Sequence, residues 1–460
     1  MTQMYGDARV TVFQETVSPL SVTQDIARAK TALDEDDAFL LMDLGMVLQR
    51  FELWTTTMPR VEPFYAVKCN SDPILMRVLA DCGAGFDCAS KKEIDLVLDN
   101  GLTSPDRIIY ANPCKTRNYI KHALNRGVDM MTFDNEEELL KIRELHPNAK
   151  MVLRIAIGDP TATCQLNVKF GCDPVKEGEA LLATAARLGV AVIGISFHVG
   201  SGCNDPTAFG TAIAHARRLF NDGIRLGHSM TLLDLGGGYP GYDNERISFP
   251  KIAAVINRAL EEYFPETDDS VRIIAEPGRY FAAAPYSLTT NIIAKTKVPA
   301  SRVTNDAADS DQEAYMYYMN DGVYGSFNCV FYDHVHPVGV PLFHESADDD
   351  DQCKTPALLW GPTCDGLDLV QPNFRVRRLV EGDWLYFKNM GAYTHAAGSE
   401  FNGFARPKLY YFIDQNAWME LLAKRLHNVA PFSDEDEKHS EGGCESGGYS
   451  SGFASDSDSN

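Results

Sequence analysis

The chain has 460 residues, 45% hydrophobic and 10% aromatic, enough for one large and one smaller buried core. Its 64 acidic and 42 basic residues give a formal net charge of −22, which argues against binding nucleic acid or an anionic membrane through bulk electrostatics and favours a small cationic partner. Residues 1–20 lack a basic stretch followed by an apolar core, no apolar run is long enough to span a membrane, and the 11 cysteines show neither a CxxC pair nor zinc-like spacing; the expectation is a cytoplasmic protein with free thiols and no metal.

Residues 1–35 are mixed in character, and Ala38–Met42 reads as a strand. A repeating rhythm then begins. Short apolar runs stand at Pro63–Val67, Ala84–Cys88, Arg107–Ala111, Met130–Phe133, Met151–Ala156, Val192–Val199, Thr231–Leu235 and Val271–Ala275. Between them lie segments of helical periodicity at Ile74–Ala80, Lys92–Leu98, Glu136–Leu145, Ala180–Leu188, Pro206–Leu226 and Phe249–Tyr263. Eight strands alternating with helices predict a parallel sheet, and closed on itself that sheet is a (β/α)8 barrel of TIM type. A doubly wound open sheet is the alternative.

After about Tyr280 the rhythm changes to short β-like runs such as Ser287–Ala294, Ala357–Trp360, Asp383–Phe387 and Lys408–Ile413, separated by Gly, Pro and Asn turns. The expected domains are therefore a barrel over 46–280 and a C-terminal β-rich domain over 281–428, which the N-terminal segment 1–45 joins. Acidic insertions at Asn305–Glu313 and Glu345–Asp351 read as exposed loops. Residues 429–460, rich in Ser, Gly, Asp and Glu, read as a disordered tail that catalysis can do without.

In such a barrel, chemistry gathers where the strands end. Pro63-Phe64-Tyr65-Ala66-Val67-Lys68 is an apolar run ending in a lysine, and desolvation there favours a neutral, nucleophilic amine able to attack a carbonyl. A lone lysine at a strand end usually just reaches water. Here the other strand ends carry Asp87, Arg154, His198, the turn Asp234-Leu235-Gly236-Gly237-Gly238, and Glu276, a set that packing alone does not explain. The glycine triplet lets backbone amides approach an anion, and Glu276-Pro277-Gly278-Arg279 adds a second turn and a guanidinium, a pairing that suits a phosphate monoester. Ser201, after His198, is a further phosphate donor. A carboxylate such as Glu276 beside a pyridine nitrogen keeps it protonated, and a histidine ring stacks on a flat cofactor. Amine, carboxylate and phosphate cradle together specify pyridoxal phosphate. In the β-rich half, Tyr332-Asp333-His334 and the loop Gly361-Pro362-Thr363-Cys364-Asp365-Gly366 offer carboxylates for a distal ammonium and a thiol as proton donor; Asp is also common in plain turns.

These residues fall in the motifs PFYAVKCN, GFDCASKKEI, IIYANPCK, SFHVGSGC, DLGGGYPG, AEPGRYF, NDGVYGSFNCVFYDH, GPTCDGLD and NMGAYT, spread from about residue 38 to 412. On them the chain resembles the eukaryotic ornithine decarboxylases, pyridoxal-phosphate enzymes built on an alanine-racemase-like barrel. The resemblance implies that Lys68 joins the cofactor aldehyde, that His198 stacks on the ring, and that Glu276 pairs with the ring nitrogen. It places Asp87 and Arg154 near the Lys68 linkage and Ser201, Gly238, Gly278, Arg279 and Tyr393 around the phosphate. It further implies a homodimer with shared sites: Cys364, which returns a proton to Cα, and Asp365 come from the second subunit. Asp333 binds substrate from the first, Tyr332 is a further substrate-binding residue, and Lys169 and Asp368 match a pair that bridges the two. The implied reaction is decarboxylation of L-ornithine to putrescine, the first step of polyamine synthesis. The rivals are a non-catalytic antizyme inhibitor and a lysine or arginine decarboxylase. Residues 118–141, with Lys121 and Lys141, resemble the family's antizyme-binding surface.

Overall fold

Each of the eight apolar runs forms a strand: Glu62–Ala66, Gly85–Cys88, Ile108–Tyr110, Met130–Phe133, Lys150–Ile155, Val192–Phe197, Leu232–Asp234 and Arg272–Ala275. The computed structural model describes residues 1–267, 270–343 and 354–428, so the Glu345–Asp351 insertion and the 429–460 tail lie outside the described residues. The eight strands pair in parallel in chain order, and Glu62–Ala66 meets Arg272–Ala275 to close the ring. The barrel is closed, which excludes the open sheet.

Closure follows from strands that are apolar on both faces. Outward-facing residues such as Tyr65, Phe86 and Leu153 join the main core under the helices, whereas Phe64, Ile109, Val152, Leu232 and Ile274 form a separate cluster. Burying each such side chain contributes about 1.5–3 kcal/mol. Gly85 is required beside Phe64, because a Cβ there would stand 2.7 Å from its ring. At the N-terminal end of the strands, Arg272 holds Glu62 through bonds of 2.8 and 2.7 Å and lies 5.2 Å over the Phe64 ring. The opposite rim carries the strand-end residues singled out above.

The remaining strands form one ten-stranded sheet. Its main path runs Thr2–Tyr5, Ala8–Phe13, Lys408–Asp414, Phe39–Asp43, Tyr286–Pro299, Glu313–Met319, Thr355–Trp360 and Leu369–Val376. Trp384–Lys388 pairs with both Tyr286–Pro299 and Val340–Pro341. The chain passes between barrel and sheet at two neighbouring strands, Phe39–Asp43 and Tyr286–Pro299, which are antiparallel with Met42 opposite Tyr286. At the first crossing Asp43 caps the Leu44–Thr57 helix, its carboxylate accepting from the Met46 amide at 3.2 Å. That helix therefore leaves the sheet and packs directly on the barrel. Among the described residues no helix is long and apolar enough to cross a membrane.

The helices expected from periodicity are all present, with ends shifted by at most two residues, as in Gly178–Leu188. Four longer helices, Pro19–Ala32, Leu44–Thr57, Arg117–Asn125 and Gln415–Asn428, the short helices Arg279–Ala282, Ser301–Thr304 and Cys329–Tyr332, and the strands Thr2–Tyr5 and Ala8–Phe13 were not expected.

Candidate active site

Lys68 stands in the Val67–Cys69 turn just past its strand, with Nζ 2.5 Å from Oδ2 of Asp87 at the end of the next strand. Asp87 is wholly buried, and its Oδ1 has no hydrogen-bond partner within the chain. A buried acceptor without a donor marks a place where a ligand can supply one. The sequence reading expected burial to strip the proton from Lys68, and here it needs correcting. Burial does act that way, but the neighbouring Asp87 and Glu276 carboxylates outweigh it and the pKa moves up. The side chain keeps 39% of its exposure, and the free chain holds it as an ammonium.

Glu276 follows the Arg272–Ala275 strand, and its N–H donates to the Gly236 carbonyl at 2.7 Å, binding the two cradle turns side by side. Burial raises its carboxyl well above the usual range, and the charges of Asp234 and Asp87 raise it further. Asp234, also buried, is moved from 3.8 to about 7, chiefly by burial, although it accepts from the Gly236 N–H at 2.9 Å. The two carboxyls act as a pair that retains a proton near neutrality. His198 Nδ1 accepts from the Gly200 N–H at 3.0 Å, so the neutral ring carries its proton on Nε2. Burial first, then Arg154 and Lys68, keeps that ring uncharged. Arg154 lies over the Phe170 ring at 5.3 Å.

Arg279 organises the outer end of the site. Nη2 and Nε donate to Ser201 Oγ at 2.6 and 3.2 Å, and Nη1 and Nη2 hold Asp333 at 2.9 and 2.6 Å. Burial works against the guanidinium charge, but Asp333 outweighs it and raises its pKa. The guanidinium also lies 5.1 Å over the ring of Tyr393, whose backbone is left-handed (φ 53°) and bonded to the Cys69 carbonyl at 3.0 Å. Asp333 is thus committed to Arg279 in this state. Gly237 must be glycine, since a Cβ would stand 2.6 Å from His198 Nε2. A cavity of about 540 Å³, lined by Gly202, Gly241, Arg279, Asp333, His334 and Lys388 among others, reaches the Arg279–Asp333 pair from the barrel–sheet seam. Lys68 does not line it; the cavity is an approach to the Arg279 end.

Other predicted residues are not brought to Lys68 within one chain. Cys364 is exposed, its amide 3.4 Å from Asn402 Oδ1, and Asp365 accepts from the Tyr324 hydroxyl, which lowers its pKa. Tyr332 is 73% exposed. Asp368 is 1% exposed and accepts from Val323 N, Thr363 N and Thr363 Oγ1 at 2.8, 2.9 and 2.7 Å, while Lys169 is exposed beside Phe170. In the 118–141 segment, His122 pairs with Asp95, Arg126 with Asp99, and Lys141 with the buried Glu138, so most of the expected basic face is neutralised. Lys121 remains exposed. Sequence reasoning noted Asp234 only as part of a turn. It passed over the buried Lys115–Glu138 pair altogether, with 2.9 Å between Lys115 Nζ and Glu138 Oε1; nothing in a local pattern distinguishes those two from surface charges.

The donor set fits pyridoxal phosphate. Lys68 offers an amine for the aldehyde, Asp87 an unused buried acceptor beside it, and Glu276 a protonatable carboxyl for a ring nitrogen. His198 offers a neutral flat ring, and the Ser201–Arg279 pair with the Gly236–Gly238 turn offers a cradle for a dianion. Among the described residues no group of His, Cys, Asp and Glu is placed to hold a metal ion.

The family model for the pyridoxal-binding domain of pyridoxal-dependent decarboxylases matches residues 44–283. The chain is 53% identical to an ornithine decarboxylase of Caenorhabditis elegans, over 90% of this chain and 97% of that one. It is 50% identical to an antizyme inhibitor 2 of Xenopus laevis, over 88% of each. Its fold is similar to the crystal structure of the Paramecium bursaria Chlorella virus arginine decarboxylase bound to agmatine, with a TM-score of 0.77, 39% identity, and coverage of 85% of this chain and 100% of that one.

Proposed function

The chain belongs to the pyridoxal-dependent decarboxylases, and we propose that it converts L-ornithine to putrescine and carbon dioxide, the first step of polyamine synthesis. The observation that carries this reading is the convergence of Lys68, Asp87, His198 and Glu276 on one barrel rim beside the Ser201–Arg279 cradle. Pyridoxal phosphate, when bound, supplies a pyridine ring that accepts the electron pair left by a departing carboxylate. Lys68 provides the amine for its aldehyde, with Asp87 holding the charge at that nitrogen. Glu276 keeps a proton at the ring nitrogen, and Asp234 behind it stabilises the shared proton. His198 presents its neutral ring face and helps exclude water. Arg154 lies near the Lys68 linkage, and Ser201, Gly238, Gly278, Arg279 and Tyr393 hold the phosphate.

Asp333 and Asp365 bind the distal ammonium, Tyr332 lines the substrate site, and Cys364 delivers a proton to Cα. The two carboxylates supply counter-charge for a terminal ammonium; because a carboxylate also forks well onto a guanidinium, as Asp333 does onto Arg279, the preference for ornithine over arginine rests on the ornithine decarboxylase relatives. Because Cys364 and Asp365 have partners away from Lys68 in one chain, this reading needs a homodimer in which a second copy brings them; Lys169 is exposed and available at the joint, whereas Asp368 is buried and satisfied within its own chain, which corrects the expected bridge. The nine described cysteines are all free, which supports a reducing, cytoplasmic setting. Antizyme is a candidate partner through 118–141, and Lys121 is the cation there most available to it. The Xenopus relative makes a non-catalytic antizyme inhibitor the second reading.

The test is an absorbance spectrum with pyridoxal phosphate followed by carbon dioxide release from ornithine, lysine and arginine. A cofactor band lost in Lys68→Ala, with ornithine preferred, is the expected result. Turnover of lysine or arginine instead would overturn the roles given to Asp333 and Asp365. No band and no turnover would leave the antizyme-inhibitor reading, with antizyme binding as its own test.

A further inference from the structure

Arg50 lies outside the site described above, on the Leu44–Thr57 helix, and reaches both cradle turns at once. Its Nε donates to the Tyr280 carbonyl at 2.5 Å and its Nη2 to the Pro240 carbonyl at 3.1 Å. Tyr280 directly follows Arg279, and Pro240 lies just beyond the Gly236–Gly238 triplet. The guanidinium sits 4.2 Å over the Tyr280 ring, and the Tyr280 hydroxyl donates back to the Arg50 carbonyl at 3.0 Å. One turn further along the same helix, Trp54 packs edge-on against Tyr280 at 5.2 Å and Tyr239 at 4.8 Å. One helix face therefore grips the outer end of each turn.

Building on the proposed function, we propose that Arg50 is a positioning residue for the cofactor phosphate: it sets the spacing between the glycine turn and the Arg279 turn without touching the phosphate itself. A guanidinium presents its N–H donors in a rigid plane, so a single side chain fixes the distance between the two carbonyls. Lysine, a point donor on a flexible stem, does not reproduce that constraint. The inner residues Lys68, Asp87, His198 and Glu276 stand on strand ends or the turns just after them, held by the barrel ladder. Loosening Arg50 therefore acts on the phosphate end and spares the ring end.

That asymmetry is the test. The full chain, stripped of any cofactor carried through purification, is titrated by absorbance with pyridoxal phosphate and, separately, with pyridoxal, which has no phosphate. Arg50→Met keeps the packing stem and removes the donors. It should weaken pyridoxal phosphate binding by about tenfold or more, while pyridoxal binding changes by less than about threefold. Arg50→Lys should fall between Arg50→Met and wild type, and it carries the same comparison if Arg50→Met does not fold. Equal weakening for the two compounds would reduce Arg50 to general structural support and overturn the inference, as would no weakening at all. If the wild-type chain binds neither compound, the proposed function fails and takes this inference with it; if wild type binds and the variants show no asymmetry, only this inference fails.

Discussion

Replacing Asp234 with Asn removes a buried proton-binding group while keeping its shape. In the folded chain that carboxyl is moved from 3.8 to about 7, chiefly by burial; in the unfolded chain it ionises at its ordinary value. Between those limits the folded state binds more protons than the unfolded one, so this group makes stability fall as pH rises through the window. Each pH unit is worth about 1.4 kcal/mol, which puts the whole effect at about 4 kcal/mol, with part of it spread onto Glu276. The cofactor-free wild-type and Asp234→Asn chains would be unfolded by urea at a series of pH values, and the difference in their stabilities plotted. The difference cancels carboxylates such as Glu62, whose lowered pKa pulls in the opposite direction. It should move in favour of Asp234→Asn by about 2–4 kcal/mol between roughly pH 5 and pH 8, then level off. A flat difference would mean that Asp234 ionises as freely in the folded chain as in water, and would refute the shared proton with Glu276.

Gly237→Ala would bring a Cβ 2.6 Å from His198 Nε2 and 3.1 Å from the Glu276 carbonyl. It should weaken cofactor binding by about tenfold or more in the same titration, and an unchanged affinity would count against the placement of His198. Glu138→Leu leaves the buried Lys115 ammonium with the Asn112 and Thr132 carbonyls, 3.1 and 2.7 Å away, and the face of the Tyr110 ring at 5.5 Å. The expected cost is about 3–5 kcal/mol in urea denaturation, and a loss below about 1 kcal/mol would show that those partners suffice. Asp87→Asn removes the nearest counter-charge of Lys68, so its pKa falls and more of it is free amine. Labelling of Lys68 by an amine-directed reagent near pH 8 should therefore speed up in the cofactor-free chain; unchanged labelling would show that Asp87 does not hold the proton.

The barrel was legible because a parallel strand buried on both faces must be a continuous apolar run, and eight such runs in rhythm with helices admit few other folds. What escaped was set by contacts distant in sequence. Thr55-Thr56-Thr57 after Trp54 reads locally as extended chain, yet Trp54 is helical because its ring is buried among Tyr239, Phe249 and Tyr280. The Ala8–Phe13 strand pairs in parallel with Lys408–Asp414, four hundred residues away, and no local pattern announces that partner. Arg117–Asn125 is short and polar, its helix held by a Thr116 cap and pairs such as His122 with Asp95.

The site divides along the same line. Residue types at strand ends can be read directly, because the barrel brings every strand end to one rim; their charge states cannot. Asp87 meets Lys68 where the first two strands pair, with Ala66 opposite Asp87, whereas Glu276 joins them only when the last strand meets the first. Local pattern alone does not show that Asp87 ends beside the Lys68 amine and opposes the desolvation that would make the lysine neutral. With Asp87 beside it and Glu276 brought in by closure, the balance reverses. Pairing of the last two strands sets Glu276 beside Asp234; burial raises both carboxyls, and the Asp234 and Asp87 charges raise Glu276 further. The amine is thus stored as an ion pair with Asp87, and burial keeps a proton on the Glu276–Asp234 pair. A flat cofactor that brings a donor to the unpartnered Asp87 Oδ1 and a basic ring nitrogen to Glu276 would relieve both at once.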